Sequence, residues 1–88
     1  MTRSEVLDTA KELITQNREA EYGSPYANLN CANYLIKAYL DYANKVDVCV
    51  IMALVKIARI ATGEYKPDNY IDACGYLALG AEMGGMNE

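Results

Sequence analysis

The segment from Val48 to Thr62 constrains the fold most, because it is apolar on almost every face of a helix. Asp47 stands before it at an N-cap position, and Gly63 follows it where helices commonly end. A helix that is apolar nearly all round has to be buried by neighbours on more than one side. Lys56 and Arg59 interrupt the run, which also falls short of the about 20 residues that cross a bilayer. The sequence therefore predicts a central helix of an all-α protein and no membrane span.

Two helices are predicted before this central one. Thr2 and Glu5 fit a capping box, which would begin a helix over about 3–19. Ser24 and the proline after it fit the N-cap and the first position of a second helix, over about 25–43. Both segments repeat apolar residues at helical spacing, so each has a face to bury.

A fourth helix is predicted over about 67–82, beginning at residue 67 or 68, and Gly84-Gly85 is expected to end it. Gly75 and Gly80 inside this helix suggest close approach of a neighbouring helix. A chain of 88 residues has room for one hydrophobic core. We therefore expect residues 1–88 to form a single helical domain, a compact bundle of about four helices.

Self-association is the expected answer to a surplus of apolar surface. The third and fourth predicted helices are apolar on more faces than one partner layer can cover. A dimer or higher homo-oligomer would bury that surplus. The side chains expected to contribute to it are Val48, Ile51, Val55, Leu77 and Leu79.

Charge and composition exclude several classes of function. The net charge is −4, so no general basic field is present to bind duplex nucleic acid. The chain contains no His, the usual general base and the commonest transition-metal ligand. Cys31, Cys49 and Cys74 are too distant and irregular to indicate a zinc site or a disulfide framework, and we expect them to be reduced and buried. Residues 1–12 lack the apolar core of a signal peptide, which predicts a cytoplasmic protein.

Lys56 and Arg59 stand three residues apart on one face of the apolar central helix. If their charged ends are buried they need anions, because an unpaired buried charge is very costly. A structural interpretation supplies these anions from Asp68 and Asp72 on the fourth helix. A functional interpretation supplies part of them from outside, as the phosphate of a ligand. The sequence leaves both interpretations open.

Asp68, Asp72 and Tyr76 recur every four residues and form one polar stripe, with Asn69 beside the first of them. Paired carboxylates at this spacing can hold Mg²⁺ or accept hydrogen bonds from ribose hydroxyls. They can equally stabilise the start of a helix through the macrodipole. This stripe is thus a candidate ligand site with an ordinary structural alternative.

A second candidate region precedes and begins the second helix. It contains Arg18, Tyr22, Gly23, Tyr26 and Asn28, which combine a cation, aromatic rings and hydrogen-bonding groups. Such a surface can stack a base and bind phosphate through backbone N–H groups. Tyr is also common at half-buried positions of helical bundles, and Asn at turns and caps.

Three motifs occur in a fixed order: Arg18-x3-Tyr22-Gly23-x-Pro25, Lys56-x2-Arg59 and Asp68-Asn69-Tyr70-x-Asp72-x2-Gly75-Tyr76. Over most of its length the chain thereby resembles a family of small bacteriophage proteins associated with nucleotide metabolism or modification. Its helical pattern also looks loosely like the MazG-like nucleotide pyrophosphohydrolases, which hold Mg²⁺ through E-E-x2-E and E-x2-D motifs. The candidate carboxylates here do not have that spacing; they are Glu12, Glu19, Glu21, Asp68 and Asp72. In role it is similar to small phage proteins that sequester the nucleotide signals of bacterial immunity.

The leading hypothesis is a homo-oligomeric phage protein that sequesters a phosphate-containing nucleotide, of the cyclic dinucleotide or ADP-ribose type, in the host bacterial cytoplasm. It assigns no catalytic residue, metal ligand or cofactor. The alternatives are Mg²⁺-dependent hydrolysis of a nucleotide, with Asp68, Asp72 and an N-terminal Glu as ligands, and inhibition of a host protein. The residues predicted to contact the ligand are Arg18, Tyr22, Gly23, Tyr26, Asn28, Lys56, Arg59, Asp68, Asn69, Asp72 and Tyr76.

Overall fold

The computed structural model describes residues 1–15 and 24–86. This part of the chain is all-helical and contains no strand. The four helices are α1 (Arg3–Thr15), α2 (Pro25–Tyr42), α3 (Val48–Thr62) and α4 (Pro67–Met86). The predicted all-α class and the number of helices are therefore confirmed.

Local capping determines where the first three helices begin. Thr2 and Glu5 form the predicted capping box, in which the Glu5 backbone N–H donates to Thr2 Oγ1 at 3.2 Å and Thr2 N–H donates to Glu5 Oε1 at 3.3 Å. Ser24 Oγ accepts from the Ala27 N–H at 3.4 Å, and Asp47 Oδ1 accepts from the Cys49 N–H at 2.8 Å. Each side chain satisfies an N–H group that the first turn of its helix leaves unpaired.

The predicted end of α3 agrees with the structure, and the predicted end of α4 does not. We expected α4 to stop at Gly84-Gly85, but it continues through both glycines to Met86. A glycine costs a helix only about 1 kcal/mol relative to alanine, and no proline follows to block the next turn. Gly63 ends α3 as predicted, with an extended backbone at φ −110°. The final part of the predicted first helix, residues 16–19, lies outside the described residues.

Packing joins α2, α3 and α4 into what we call the three-helix unit, with α3 in the middle. Side-chain contacts fix the direction of α4 against α3. Lys56 Nζ lies 2.9 Å from Asp72 Oδ2, whereas Gly80, later in α4, packs against Cys49 near the start of α3. The two helices are therefore antiparallel, as expected for neighbours joined by a short connection.

Small side chains form the buried seam of this unit. Its buried apolar residues are Ala32, Cys49, Ala53, Ala58 and Ala73. Among the described residues, no large side chain is fully buried. The helices thus meet through small residues, while the longer aliphatic side chains are half-buried or exposed around the seam.

The two glycines within α4 differ. A Cβ atom at Gly80 would lie 2.9 Å from Cys49 Cβ, so close approach of α3 requires glycine there. A Cβ atom at Gly75 would meet nothing within 4 Å. The predicted close approach is therefore confirmed at Gly80 and wrong at Gly75, which lies on the side of α4 that faces away from α3.

Much apolar surface remains exposed. All side chains of α1 are exposed, including apolar Leu7 and Ile14, so α1 adds nothing to the buried seam. Of the predicted surplus residues, Val48, Leu77 and Leu79 are exposed, whereas Ile51 and Val55 are half-buried.

The three cysteines are free and differ in exposure: Cys49 is buried, Cys31 is half-buried and Cys74 is exposed. Burial of all three was therefore a wrong expectation for Cys74, which lies on the outer side of α4. No helix in the described ranges is both long and apolar enough to cross a bilayer.

Candidate functional site

The antiparallel arrangement brings the start of α2, the end of α3 and the start of α4 to one end of the three-helix unit. Asn28, Arg59, Asp68 and Asn69 lie there, and we call this the cationic end. Lys56 is one turn earlier on α3. Residues of the second and third motifs are thus brought to one region of the molecule.

Lys56 forms an ion pair with Asp72, with 2.9 Å between Nζ and Oδ2. The Lys56 side chain is only 14% exposed, while that of Asp72 is 44% exposed. The lysine stem is therefore covered by the protein and its charge is neutralised at the surface of α4. Asp72 therefore supplies an anion to Lys56, as the structural interpretation predicts, and the predicted contact of Lys56 with a ligand stays a prediction.

Arg59 is different. It is half-buried, and no carboxylate of the described residues lies within ion-pair distance of its guanidinium. Asp68, the second predicted partner, is exposed and pairs with neither cation. Because its guanidinium presents five N–H donors and no described carboxylate pairs with it, Arg59 can bind an anion such as a phosphate.

Asn28 and Asn69 are the buried polar residues within the described part of the chain. Their backbone N–H groups donate to Ser24 and Lys66 carbonyls in the first turns of α2 and α4. No buried side-chain N or O atom among the described residues lacks a hydrogen-bond partner. Both asparagines are thus buried where their helices begin, and their predicted contact with a ligand stays a prediction.

Asp72 and Tyr76 also border an open concavity of about 340 Å³, with Ile71, Gly75 and Leu79. All five residues belong to α4, so a single helix supplies the lining that the described residues provide. Asp72 thus borders this concavity and also pairs with Lys56, which is one turn before Arg59 on α3. Half-buried Tyr76 places its ring on the same side of α4, one turn further along.

Exposed aromatic rings lie near the cationic end. Tyr26, in the first turn of α2, is 83% exposed. Tyr65 and Tyr70 pack ring to ring, with centroids 6.1 Å apart and planes tilted by 49°. Tyr65 was not among the predicted site residues. The sequence pattern that could have identified it is a pair of tyrosines, Tyr65 and Tyr70, on either side of Pro67, where α4 begins.

Arg18, Tyr22 and Gly23 lie outside the described residues, as do Glu19 and Glu21. Within residues 1–15 and 24–86, no group of three or more His, Cys, Asp or Glu side chains is placed to hold a metal ion. Asp68 and Asp72 are one turn apart on α4, and Asp72 is already paired with Lys56.

Comparison with known proteins gives relatives in mycobacteriophages. The chain is 35% identical to the Gene 55 protein of Mycobacterium phage D29 over 72 residues, which are 81% of this chain and 48% of that protein. It is 33% identical to the Gene 55 protein of Mycobacterium phage L5 over 81 residues, or 89% of this chain and 51% of that protein. The chain thus spans about half the length of these relatives.

No solved structure matches the chain. A family model described as a domain of unknown function, DUF6378, matches residues 5–84. This match includes all of the three-helix unit except the last two residues of α4. It therefore includes both ends of the unit and the concavity on α4. With its phage relatives, this match shows that the chain belongs to the DUF6378 family.

Proposed function

We propose that this phage-family protein binds and sequesters a phosphate-containing nucleotide at its cationic end. The observation that carries the proposal is Arg59, a half-buried cation with no carboxylate partner among the described residues. Ligands of matching chemistry are the cyclic dinucleotide and ADP-ribose types used as signals in bacterial immunity. Sequestration in the host cytoplasm would deny such a signal to its receptor.

Arg59 would bind the phosphate. A guanidinium forms two parallel N–H···O bonds with a phosphate, and partial burial strengthens them because water screens them less. Lys56 lies one turn away on the same face of α3, but its charge is balanced by Asp72, so Arg59 supplies the net attraction for the phosphate. The pairing of Lys56 with Asp72 keeps that lysine in place before a ligand arrives.

Asp72 and the tyrosines would recognise the rest of the nucleotide. Asp72 is partly exposed, and its carboxylate can accept hydrogen bonds from ribose hydroxyls while it stays paired with Lys56. Tyr26 and the Tyr65–Tyr70 pair offer exposed rings on which a base can stack. Tyr76 would cover the ligand from α4.

Binding without chemistry fits this set of groups. Sequestration needs charge, hydrogen bonds and stacking surfaces, all of which the proposed residues provide. Hydrolysis of a phosphate bond would in addition need a metal ion and an activated water. The mycobacteriophage relatives support a role inside an infected bacterium, where nucleotide signals are made.

The proposal is tested by titration calorimetry of the protein with cyclic di-GMP, cyclic GMP-AMP, ADP-ribose and cyclic ADP-ribose. We expect at least one of them to bind, and Arg59→Met to weaken that binding by about 100-fold, as loss of a charge-assisted contact implies. Lys37→Met is the matched control, because Lys37 is an exposed cation on α2. It should leave the affinity unchanged.

Chemical analysis of the bound nucleotide separates sequestration from catalysis. After long incubation with Mg²⁺ the ligand should be recovered intact. A cleaved ligand would contradict sequestration and favour the hydrolase alternative. Absence of binding across the panel, or equal binding by the wild type and Arg59→Met, would contradict the assignment of the cationic end.

A further inference from the structure

The chain exposes more surface than a compact monomer of its mass. Its accessible surface is 6911 Å². A compact protein of this mass exposes about 5,100 Å², so the surplus is about 1,800 Å². A standard protein interface buries about 800 Å² from each partner. The surplus thus exceeds what one such interface would cover.

The outer face of α4 is an apolar part of this exposed surface, as is α1, none of whose residues is buried. We define this outer face by its exposed residues Ile71, Cys74, Gly75, Ala78 and Leu79. Between Asp68 and Glu82, α4 contains a single charged residue, Asp72, and that carboxylate is paired with Lys56. A solvent-facing helix surface normally alternates charges with apolar residues. This face is instead composed like one that another protein surface covers.

The shape of this face points the same way. Ile71, Gly75 and Leu79 are spaced four residues apart and therefore lie in one row along α4. The glycine leaves a gap between the two large side chains. They form a notch, which is the open concavity of about 340 Å³ described above. The described residues that line it all come from α4, so none of the other described helices supplies its opposite wall. A knob on a facing helix would fill such a hole.

We propose that the outer face of α4 is the contact surface of a symmetric homodimer, in which α4 of one copy packs against α4 of a second copy. An isologous contact uses the same patch on both chains, so one nearly uncharged and notched face serves both sides. Each notch would receive an aliphatic side chain of the partner helix. The contact forms without a ligand, so it is testable apart from nucleotide binding, although Asp72 and Tyr76 border the notch and are also proposed to contact the nucleotide.

A glycine substitution tests this interface without disturbing the monomer. A Cβ atom at Gly75 meets nothing within 4 Å, so Gly75→Leu should fold normally and fill the notch. We expect the wild type to sediment as a dimer and Gly75→Leu to raise the dimer dissociation constant by about 100-fold or more, since buried contacts at the centre of an interface dominate its affinity. Gly84→Leu is the matched control, because Gly84 is an equally open glycine of α4 outside the notch. It should remain dimeric.

Cys74 provides an independent measurement. It is exposed on the proposed interface, so a short bismaleimide should join two chains through it. Cys74→Ser should abolish this cross-link, although Cys31 and Cys49 remain. A monomeric wild type would overturn the proposal, whether the face stays open or is covered by α1 of the same chain. A dimer that tolerates Gly75→Leu, or one whose cross-link survives Cys74→Ser, would also overturn it.

Discussion

The two ends of the three-helix unit use their polar residues in different ways. At the end where α3 begins, which we call the capped end, the Tyr39 hydroxyl accepts from the Asp47 N–H at 2.8 Å and donates to the Lys45 carbonyl at 3.3 Å. Asp47 in turn caps α3 through the Cys49 N–H. At the cationic end, Arg59 has no such partner among the described residues. At the capped end, Tyr39 and Asp47 are hydrogen-bonded within the protein. At the cationic end, no described carboxylate pairs with the charge of Arg59.

This difference separates residues that stabilise the fold from residues available for a ligand. A polar side chain with its hydrogen bonds satisfied within the protein contributes to stability, and its loss should be measurable as unfolding free energy. A half-buried cation without a partner contributes little to stability or reduces it, and its charge is available to a ligand. Four substitutions test the comparison, from the largest expected effect on stability to the smallest.

Gly80→Ala should have the largest effect, because it forces a Cβ atom to within 2.9 Å of Cys49 Cβ and 3.2 Å of Asp47 Oδ2. Overpacking of this kind costs about 1–3 kcal/mol, against a gain of about 1 kcal/mol in helix propensity. We expect a net loss of up to about 2 kcal/mol in chemical denaturation. Gly84→Ala, which has free space, should gain up to about 1 kcal/mol. Equal stabilities of the two variants would refute the close packing at the capped end.

Asp72→Ala should rank next, because it leaves the Lys56 ammonium without its partner at a side chain that is only 14% exposed. Loss of one member of a fully buried ion pair costs about 3–5 kcal/mol, and the 44% exposure of Asp72 reduces this to about 1 kcal/mol. Lys56→Met in the Asp72→Ala background should restore most of that loss. Failure of this rescue in thermal or urea unfolding would show that the pair is unimportant for stability.

Tyr39→Phe removes a hydroxyl with two partners at the capped end. The Asp47 N–H and the Lys45 carbonyl would each lose a hydrogen bond, and nearby water can replace part of it. We expect a loss of about 0.5–1.5 kcal/mol, the usual net value of such a bond. Tyr34→Phe on the exposed side of α2 is the control and should change nothing. A neutral Tyr39→Phe would mean that this hydroxyl does not secure the capped end.

Arg59→Met should have the smallest effect on stability. It keeps most of the apolar stem and removes a charge that has no partner among the described residues, so the unfolding free energy should change by less than about 0.5 kcal/mol or rise slightly. Urea unfolding of the ligand-free protein measures this directly. A loss as large as that of Asp72→Ala would instead assign Arg59 a structural partner.

Local signals in the sequence predicted the helices well. Asp47, Ser24 and the Thr2–Glu5 box start their helices as expected, because capping depends on neighbours three residues away or fewer. The end of α4 was missed, since two glycines alone weaken a helix without stopping it. Helix starts that depend on local capping were therefore predictable. The end of α4 was not, because the helix penalty of glycine is too small to stop the helix.

The site depended on packing that the sequence does not encode locally. Two carboxylates were candidates for pairing with Lys56, and only the register of α4 against α3 selects Asp72 over Asp68. The same register puts Gly80 against Cys49 and leaves Gly75 open. The Tyr65–Tyr70 contact forms across the turn into α4, so it follows no helical spacing. Residue types alone could not distinguish these possibilities.

The most direct test of the proposed role of Arg59 is mass spectrometry of the small molecules released by denaturing the protein. The wild type, Arg59→Met and Lys37→Met would be purified in parallel from bacteria in which nucleotide-based immunity has been activated. We predict that the wild type and Lys37→Met release one chemically intact phosphate-containing nucleotide and that Arg59→Met releases almost none. Release of no nucleotide by the wild type, or of equal amounts by wild type and Arg59→Met, would contradict nucleotide sequestration at the cationic end.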